Sequence, residues 1–270
     1  MSSSAVAFFD GCWAEPSQLF IPLSDRGLQL ADGLFETVLV LSGEPKLLEA
    51  HLERWQTSAA LLAMAPPPEA AEVQPLIQEA ISRAGLQTGN GALRLNWSRG
   101  TSQGRGIDVP DQAEPRFWLQ LSPHEPLFTA QTAIVSRHER RNSASRLSQC
   151  KTFAYGQAIQ ARLEAQQAGA DEALLLGCGG ELCCGSTANL LIERQGQWLT
   201  PALSSGCLPG VMRGRLLELG LAREAQLQAT PEPGDAWLLI NSLGCRPLSS
   251  VEGQALELRH DAAALWRSLL

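Results

Sequence analysis

The order of the apolar segments constrains this fold more than any other feature: strand-like runs follow one another with no helix between them. "AVAFFDG" alternates like a strand and closes on an Asp-Gly turn. "GLFETVLVLSGEPKLL" reads as a strand pair turning at Gly43. Two helical patterns come next. "LLEAHLERWQTSAALLAM" carries apolar residues at helical spacing and stops at "APPPE", and "EVQPLIQEAISRAG" ends at Gly85. "GALRLNWSRG" and "RFWLQLSP" read as two more strands flanking the polar loop "GTSQGRGIDVPDQAEP". A wholly parallel sheet needs a long crossover, usually a helix, between successive strands, so mixed sheets are expected, and with them an α/β fold.

The prolines of "SPHEPLFTA" mark a hinge. The reading is two domains: a small N-terminal α/β domain over 1–122, a linker over 123–130, and a larger C-terminal domain over 131–270. Beyond the linker come a strand "TAIVS", a helix from about Thr152 to Gln167, strands "DEALLL", "ANLLIE" and "QWLT", a helix "GVMRGRLLELG" and a strand "DAWLLINS". A chain of 270 residues is long enough for two such cores.

Charge and composition narrow the partners. A net charge of −7 argues against nucleic acid or an anionic membrane. No run approaches the ~18 apolar residues of a membrane span. "MSSSAVAFFDGCWAE" lacks a basic segment and reaches Asp10 too early for a signal peptide, so a cytoplasmic protein is expected. The seven cysteines show no CxxC spacing and the four histidines supply no ligand pairs. Reduced thiols, mostly buried as small hydrophobes, and no metal site are the expectation.

Lysine is almost absent. The chain has Lys46 and Lys151 against nineteen arginines, and Lys151 lies in "SQCKTFAYGQ". Lys151 is either a leftover surface lysine or a position that arginine cannot fill. An amine can give up its proton and condense with an aldehyde; a guanidinium cannot. Were Lys151 to hold an aldehyde cofactor, pyridoxal phosphate is the obvious candidate, and its phosphate needs an anion site. In "LPGVMRGRLLELG", Pro209 and Gly210 lead into a helix whose first amides, on Val211 and Met212, can face an anion. Arg54 could grip a phosphate from the first helix, or merely be solvated. Ser242, ending "AWLLIN", could donate its hydroxyl or simply begin a turn.

Taken together and in order, "LSDRGLQLADGLFETVLV", "LEAHLERWQTSAALL", "KTFAYGQAIQARLEAQQAGADEALLL", "GSTANLLIE" and "SGCLPGVMR" resemble the class IV aminotransferase family, the fold-type IV enzymes of pyridoxal phosphate. The likeness runs from about Asp10 to "SSVEG". It implies that Lys151 anchors the cofactor covalently, that Arg54, the amides of Val211 and Met212, and Ser242 hold its phosphate, and that Tyr155 stands near its phenolic oxygen. It also implies a homodimer acting on a small molecule.

Within the family, "SRGTSQGRGI" and "INSLGCRPLSSVEG" are similar to segments of 4-amino-4-deoxychorismate lyase, which makes 4-aminobenzoate and pyruvate on the way to folate. Branched-chain and D-amino-acid aminotransferases, or a weakly catalytic cofactor-binding homologue, are the alternatives. A substrate with two carboxylates suits arginines, with Arg105 first and Arg99 and Arg246 behind it. One departure from the family pattern is large. The glutamate expected to face the pyridine nitrogen falls on Cys184 in "GELCCGS", and a thiol, with an ordinary pKa of about 8.5, is a poor substitute. Glu181 is expected to lie too far away to replace it, and the Cys183 side chain to point to the opposite face of the strand.

Overall fold

The computed structural model describes residues 4–101, 106–110 and 113–270. They fall into two compact units. The first takes the chain up to Glu125 together with Cys150–Ala154; the second takes Pro126–Gln149 and Tyr155–Leu270. The chain thus leaves the first unit after Glu125 and returns for five residues. A single linker over 123–130 does not anticipate that return.

The first unit contains β1 (Val6–Phe9), β2 (Cys12–Ala14), α1 (Arg26–Leu30), β3 (Gly33–Leu41), β4 (Glu44–Pro45), α2 (Leu48–Leu61), α3 (Ala70–Arg83), β5 (Gly91–Ser98) and β6 (Arg116–Pro123). Its strands form one antiparallel sheet in the order β2-β1-β6-β5-β3-β4. The Asp-Gly turn after β1 has both residues at positive φ, as a tight hairpin requires. Alternation along β3, β5 and β6 sends Leu34, Val38, Leu93, Leu95, Leu119 and Leu121 to one face. There they join Leu52 and Trp55 of α2 and Val73 and Ile77 of α3 in a single core. Full burial of each large apolar side chain contributes about 1.5–3 kcal/mol, so this face fixes the register of the sheet.

The second unit contains β7 (Gln131–Arg141), α4 (Gly156–Gln167), β8 (Glu172–Gly177), β9 (Leu182–Gly185), β10 (Asn189–Arg194), β11 (Gln197–Pro201), α5 (Val211–Glu218), β12 (Ala222–Ala225), β13 (Ala236–Asn241), β14 (Gly244–Val251), β15 (Gln254–Ala255) and α6 (Ala262–Arg267). The sheet runs β12-β11-β10-β13-β14-β7-β8-β9. One further pairing, Asn189 with Cys184, links β10 back to β9 and closes the central strands into a ring. Pairings of β7 with β8 and β14 are parallel and most others antiparallel, the mixed pattern expected from helix-free strand successions. One face buries Leu174, Leu182, Leu190, Ile192, Trp237, Leu239 and Leu248. The other packs Ala173, Leu175, Cys183, Cys184 and Cys207 with Ala161 and Ala165 of α4. Among the described residues no helix is long and apolar enough to cross a membrane.

The helix read from about Thr152 begins only at Gly156. Residues 151–153 are taken up by pairing with β3.

Candidate active site

Lys151 is held by its backbone on the open edge of β3. Thr152 bridges Leu34 in antiparallel sense. The Phe35 amide donates to the Lys151 carbonyl at 2.9 Å, and the Phe153 amide to the Gly33 carbonyl at 3.0 Å. Residues opposite each other in such a pair share a face, so Lys151 and Phe153 stand with Phe35. The Lys151 ammonium lies 4.5 Å from the centre of the Phe35 ring, and the Arg94 guanidinium 3.5 Å from that same ring. Phe153 packs on Phe35 and on Trp118. Gly33 makes the approach possible, because a Cβ there would overlap the Phe153 ring. Register places Asn96 and Trp118 in the same row as Phe35, and Thr37, Arg94 and Gln120 in the next. This face is aromatic and polar where the other is leucine-rich.

The leucine-rich face carries one anomaly. Glu36, between Leu34 and Val38, is 1% exposed and meets two residues of α2. Arg54 grips it with Nε on Oε1 at 2.8 Å and a terminal nitrogen on Oε2 at 2.5 Å; His51 Nδ1 lies 2.7 Å from the same Oε2. Burial alone would raise the Glu36 pKa. The Arg54 charge and the His51 hydrogen bond outweigh it and hold the carboxyl at about 2. Burial pushes the His51 pKa below its usual value against the pull of Glu36, and the charges of Arg54 and Lys151 add to that lowering. An ionised carboxylate only accepts, so the Nδ1 facing it carries the proton.

The second unit gathers a separate set. Cys184, 8% exposed, pairs with Leu175 of β8 and Asn189 of β10. The Asn189 amide nitrogen donates to the Leu208 carbonyl at 2.9 Å. Its Oδ1 lies so close to Gly210 that a Cβ there would overlap it. Gly210 is the N-cap of α5 and offers no capping side chain, so the first amides, on the buried Val211 and Met212, are left for another acceptor. Ser242 lies in the turn between β13 and β14, next to Asn241, which donates to the Thr187 carbonyl. Tyr155 is the half-buried N-cap of α4.

Two of the candidate arginines are engaged within the fold, and one expectation needs correction. Arg99 is an architectural residue. Nε binds Asp32 at 2.8 Å, and its terminal nitrogens hold the carbonyls of Ala63 and Leu62 at 2.8 and 3.0 Å. Asp32 is shared with Arg26, which in turn holds the carbonyls of Ile107 and Asp108. Arg99 anchors the Leu62–Ala63 backbone and Asp32. Arg246 stands on the sheet face opposite to Cys184. Cys184 pairs with Asn189, Asn189 with Ile240 and Ile240 with Cys245, so Cys245 takes the Cys184 face while Arg246 sits in the row of Leu239. Its Nε donates to the Thr129 carbonyl, and burial and the Arg162 charge lower its pKa. Cys183 shares the α4-facing cluster with Cys184 rather than taking the other face. The cause is a bulge: Leu175 pairs with Cys184 but Leu176 with Leu182, which leaves Cys183 as the extra residue. Glu181 is held at the turn before β9, its carboxylate lying over Gly177 and Gly179. Arg105 lies outside the described residues.

Glu36, His51 and Arg94 escaped the sequence reading. Two of them carried a signal. Glu36 occupies a core-facing position in an apolar strand, and His51 lies on the stripe of Leu48, Leu52 and Trp55. Two polar residues on facing apolar surfaces require each other.

Residues 33–251 match the family Amino-transferase class IV. The chain is 24% identical to the aminodeoxychorismate lyase of Bacillus subtilis over 255 residues, covering 91% of this chain and 86% of that protein. It is also 24% identical to a D-alanine aminotransferase of Listeria monocytogenes over 251 residues, covering 86% and 83%. A branched-chain aminotransferase from Thermoproteus uzoniensis superposes with a TM-score of 0.85 at 20% identity, covering 98% of this chain and 93% of that one. The chain belongs to the class IV amino-transferase family, the pyridoxal-phosphate enzymes of fold type IV.

Proposed function

We propose that this protein is a lyase converting 4-amino-4-deoxychorismate to 4-aminobenzoate and pyruvate. The observation that carries this reading is Cys184. The strand position where the family places a carboxylate holds a thiol side chain, and Glu181 is held away at the preceding turn.

The residues present fit pyridoxal phosphate. An uncapped helix start at Gly210, with no room there for a Cβ, leaves the Val211 and Met212 amides for an anion. Arg54 and Ser242 would add a charged and a hydroxyl contact to the phosphate, Lys151 would hold the cofactor covalently, and Tyr155 would stand by its phenolic oxygen. When bound, the cofactor supplies an electron sink beside the amine-bearing carbon of the substrate. Lys151 Nζ takes the proton from that carbon as general base and returns one to the product. Arg94, turned onto Phe35 beside Lys151, would take a substrate carboxylate, with Arg105 the second candidate.

Cys184 separates the two chemistries of the family. With Cys184 in place of that carboxylate the cofactor would be a weaker electron sink, which would harm a transaminase more than a reaction driven by expulsion of the enolpyruvyl group and aromatisation. The exposed Phe20, Leu23 and Leu28 of the first unit support the homodimer that the family resemblance implies.

The test is incubation of the purified protein with aminodeoxychorismate. We expect stoichiometric 4-aminobenzoate and pyruvate, abolished in Lys151→Ala and needing more substrate in Arg94→Ala. No 4-aminobenzoate, alongside steady amino transfer from a branched-chain or D-amino acid, would reverse the assignment.

A further inference from the structure

The Glu36–His51–Arg54 group has a shape that stability does not explain. A buried ion pair returns little net stability against an apolar replacement of equal volume. Yet Glu36 and His51, each 1% exposed, sit beside a core built of apolar side chains. Arg54, at 12%, is the only member of the three that reaches the surface. The two buried residues therefore stand behind the guanidinium.

Their geometry restricts it. Two hydrogen bonds donated to Glu36 take up the Nε edge of the planar fork, which turns the opposite edge away from Glu36. The His51 Nδ1–H in turn fixes Glu36 Oε2. An arginine loses much side-chain freedom when it grips an anion, and one already held has lost that freedom beforehand. We infer that Glu36, locked by His51, is a positioning residue that fixes the direction in which Arg54 presents its guanidinium to the cofactor phosphate. This rests on the reading of Arg54 as a phosphate contact. Removing a counter-charge would by itself strengthen anion binding, so the sign of the effect distinguishes positioning from simple neutralisation.

The experiment compares the affinity of the full-length protein, stripped of cofactor, for pyridoxal phosphate and for pyridoxal, which lacks the phosphate. Glu36→Gln should cut the preference for the phosphorylated form about tenfold to a hundredfold, the range of a charge-assisted hydrogen bond, with pyridoxal binding little changed. His51→Leu should act in the same direction. His51→Asn, whose amide can donate from the place of Nδ1, should restore most of the preference. Arg54→Ala is the companion measurement. If it narrows the preference while Glu36→Gln leaves it intact or widens it, the positioning role is overturned and the phosphate contact stands. If Arg54→Ala changes nothing, the phosphate contact itself is overturned. Should Glu36→Gln fail to fold, the His51 pair decides: equal affinities in His51→Leu and His51→Asn overturn the inference.

Discussion

Replacing Glu36 by glutamine should destabilise the protein near neutrality and cease to matter in acid. The carboxyl is held at about 2 in the folded protein against 4.5 for the free side chain, burial opposing and Arg54 and His51 imposing the shift. A shift of that size corresponds to about 3 kcal/mol of folding free energy. The folded value lies below the unfolded one. The contribution is therefore complete above about pH 5, and it is lost as the pH falls from 4.5 towards 2. Glutamine keeps the size and shape but cannot titrate, so the difference between wild type and Glu36→Gln isolates this one group. Urea unfolding at a series of pH values reads it. The gap should narrow by about 2 kcal/mol between about pH 5 and about pH 3, an average slope near 1 kcal/mol per pH unit. A gap that stays constant over that range would refute the reasoning, because Glu36 would then not be ionised against Arg54.

Gly210→Ala tests the start of α5. Its φ of −69° and ψ of 142° suit alanine, so only the overlap with Asn189 Oδ1 opposes the change. We expect about 1–3 kcal/mol of destabilisation from overpacking and weaker binding of pyridoxal phosphate, both partly relieved by Asn189→Ala; unchanged cofactor affinity would remove the anion site from this helix. Cys184→Glu should speed amino transfer from simple amino acids to the bound cofactor, seen as loss of its visible absorbance, while 4-aminobenzoate formation changes less. Because Cys183 shares the Cys184 cluster, the exposed Cys178→Glu is the control, and equal rates in both variants would show that position 184 does not face the ring.

Period-two and period-3.6 patterns were enough to locate most strands and helices, because one face of each is buried in a leucine-rich core. They failed where the chain departs from a simple period. β9 reads as a regular strand from its residues, and nothing local reveals the bulge at Cys183. β14 holds Pro247 and an arginine in a strand buried mostly by its neighbours. The start of α4 was misplaced because nothing local to Thr152 reveals that its backbone pairs with Leu34 far upstream. The candidate site divides similarly. Lys151 stood out by its rarity and the Gly210 helix start by its local chemistry. The backbone partners of Arg99 and Arg246 were not legible, because a guanidinium that anchors a loop and one that meets a substrate look alike in sequence. Arg94 alternates into its face of β5 like any other strand residue, and only register sets it over Phe35.

The return of Cys150–Ala154 to the first unit has a consequence for how the protein is made. During synthesis the N-terminal strands and helices emerge first, at about 5–20 residues per second. One edge of β3 then waits, with the Phe35 amide and the Gly33 carbonyl lacking their partners until β7 and the turn after it have followed. Such an edge is a template for pairing with another chain. A nascent chain that stalls near Glu125 therefore carries an open seam, and the residues that close it are those that bring the lysine. Completion of the first unit and delivery of Lys151 are one event.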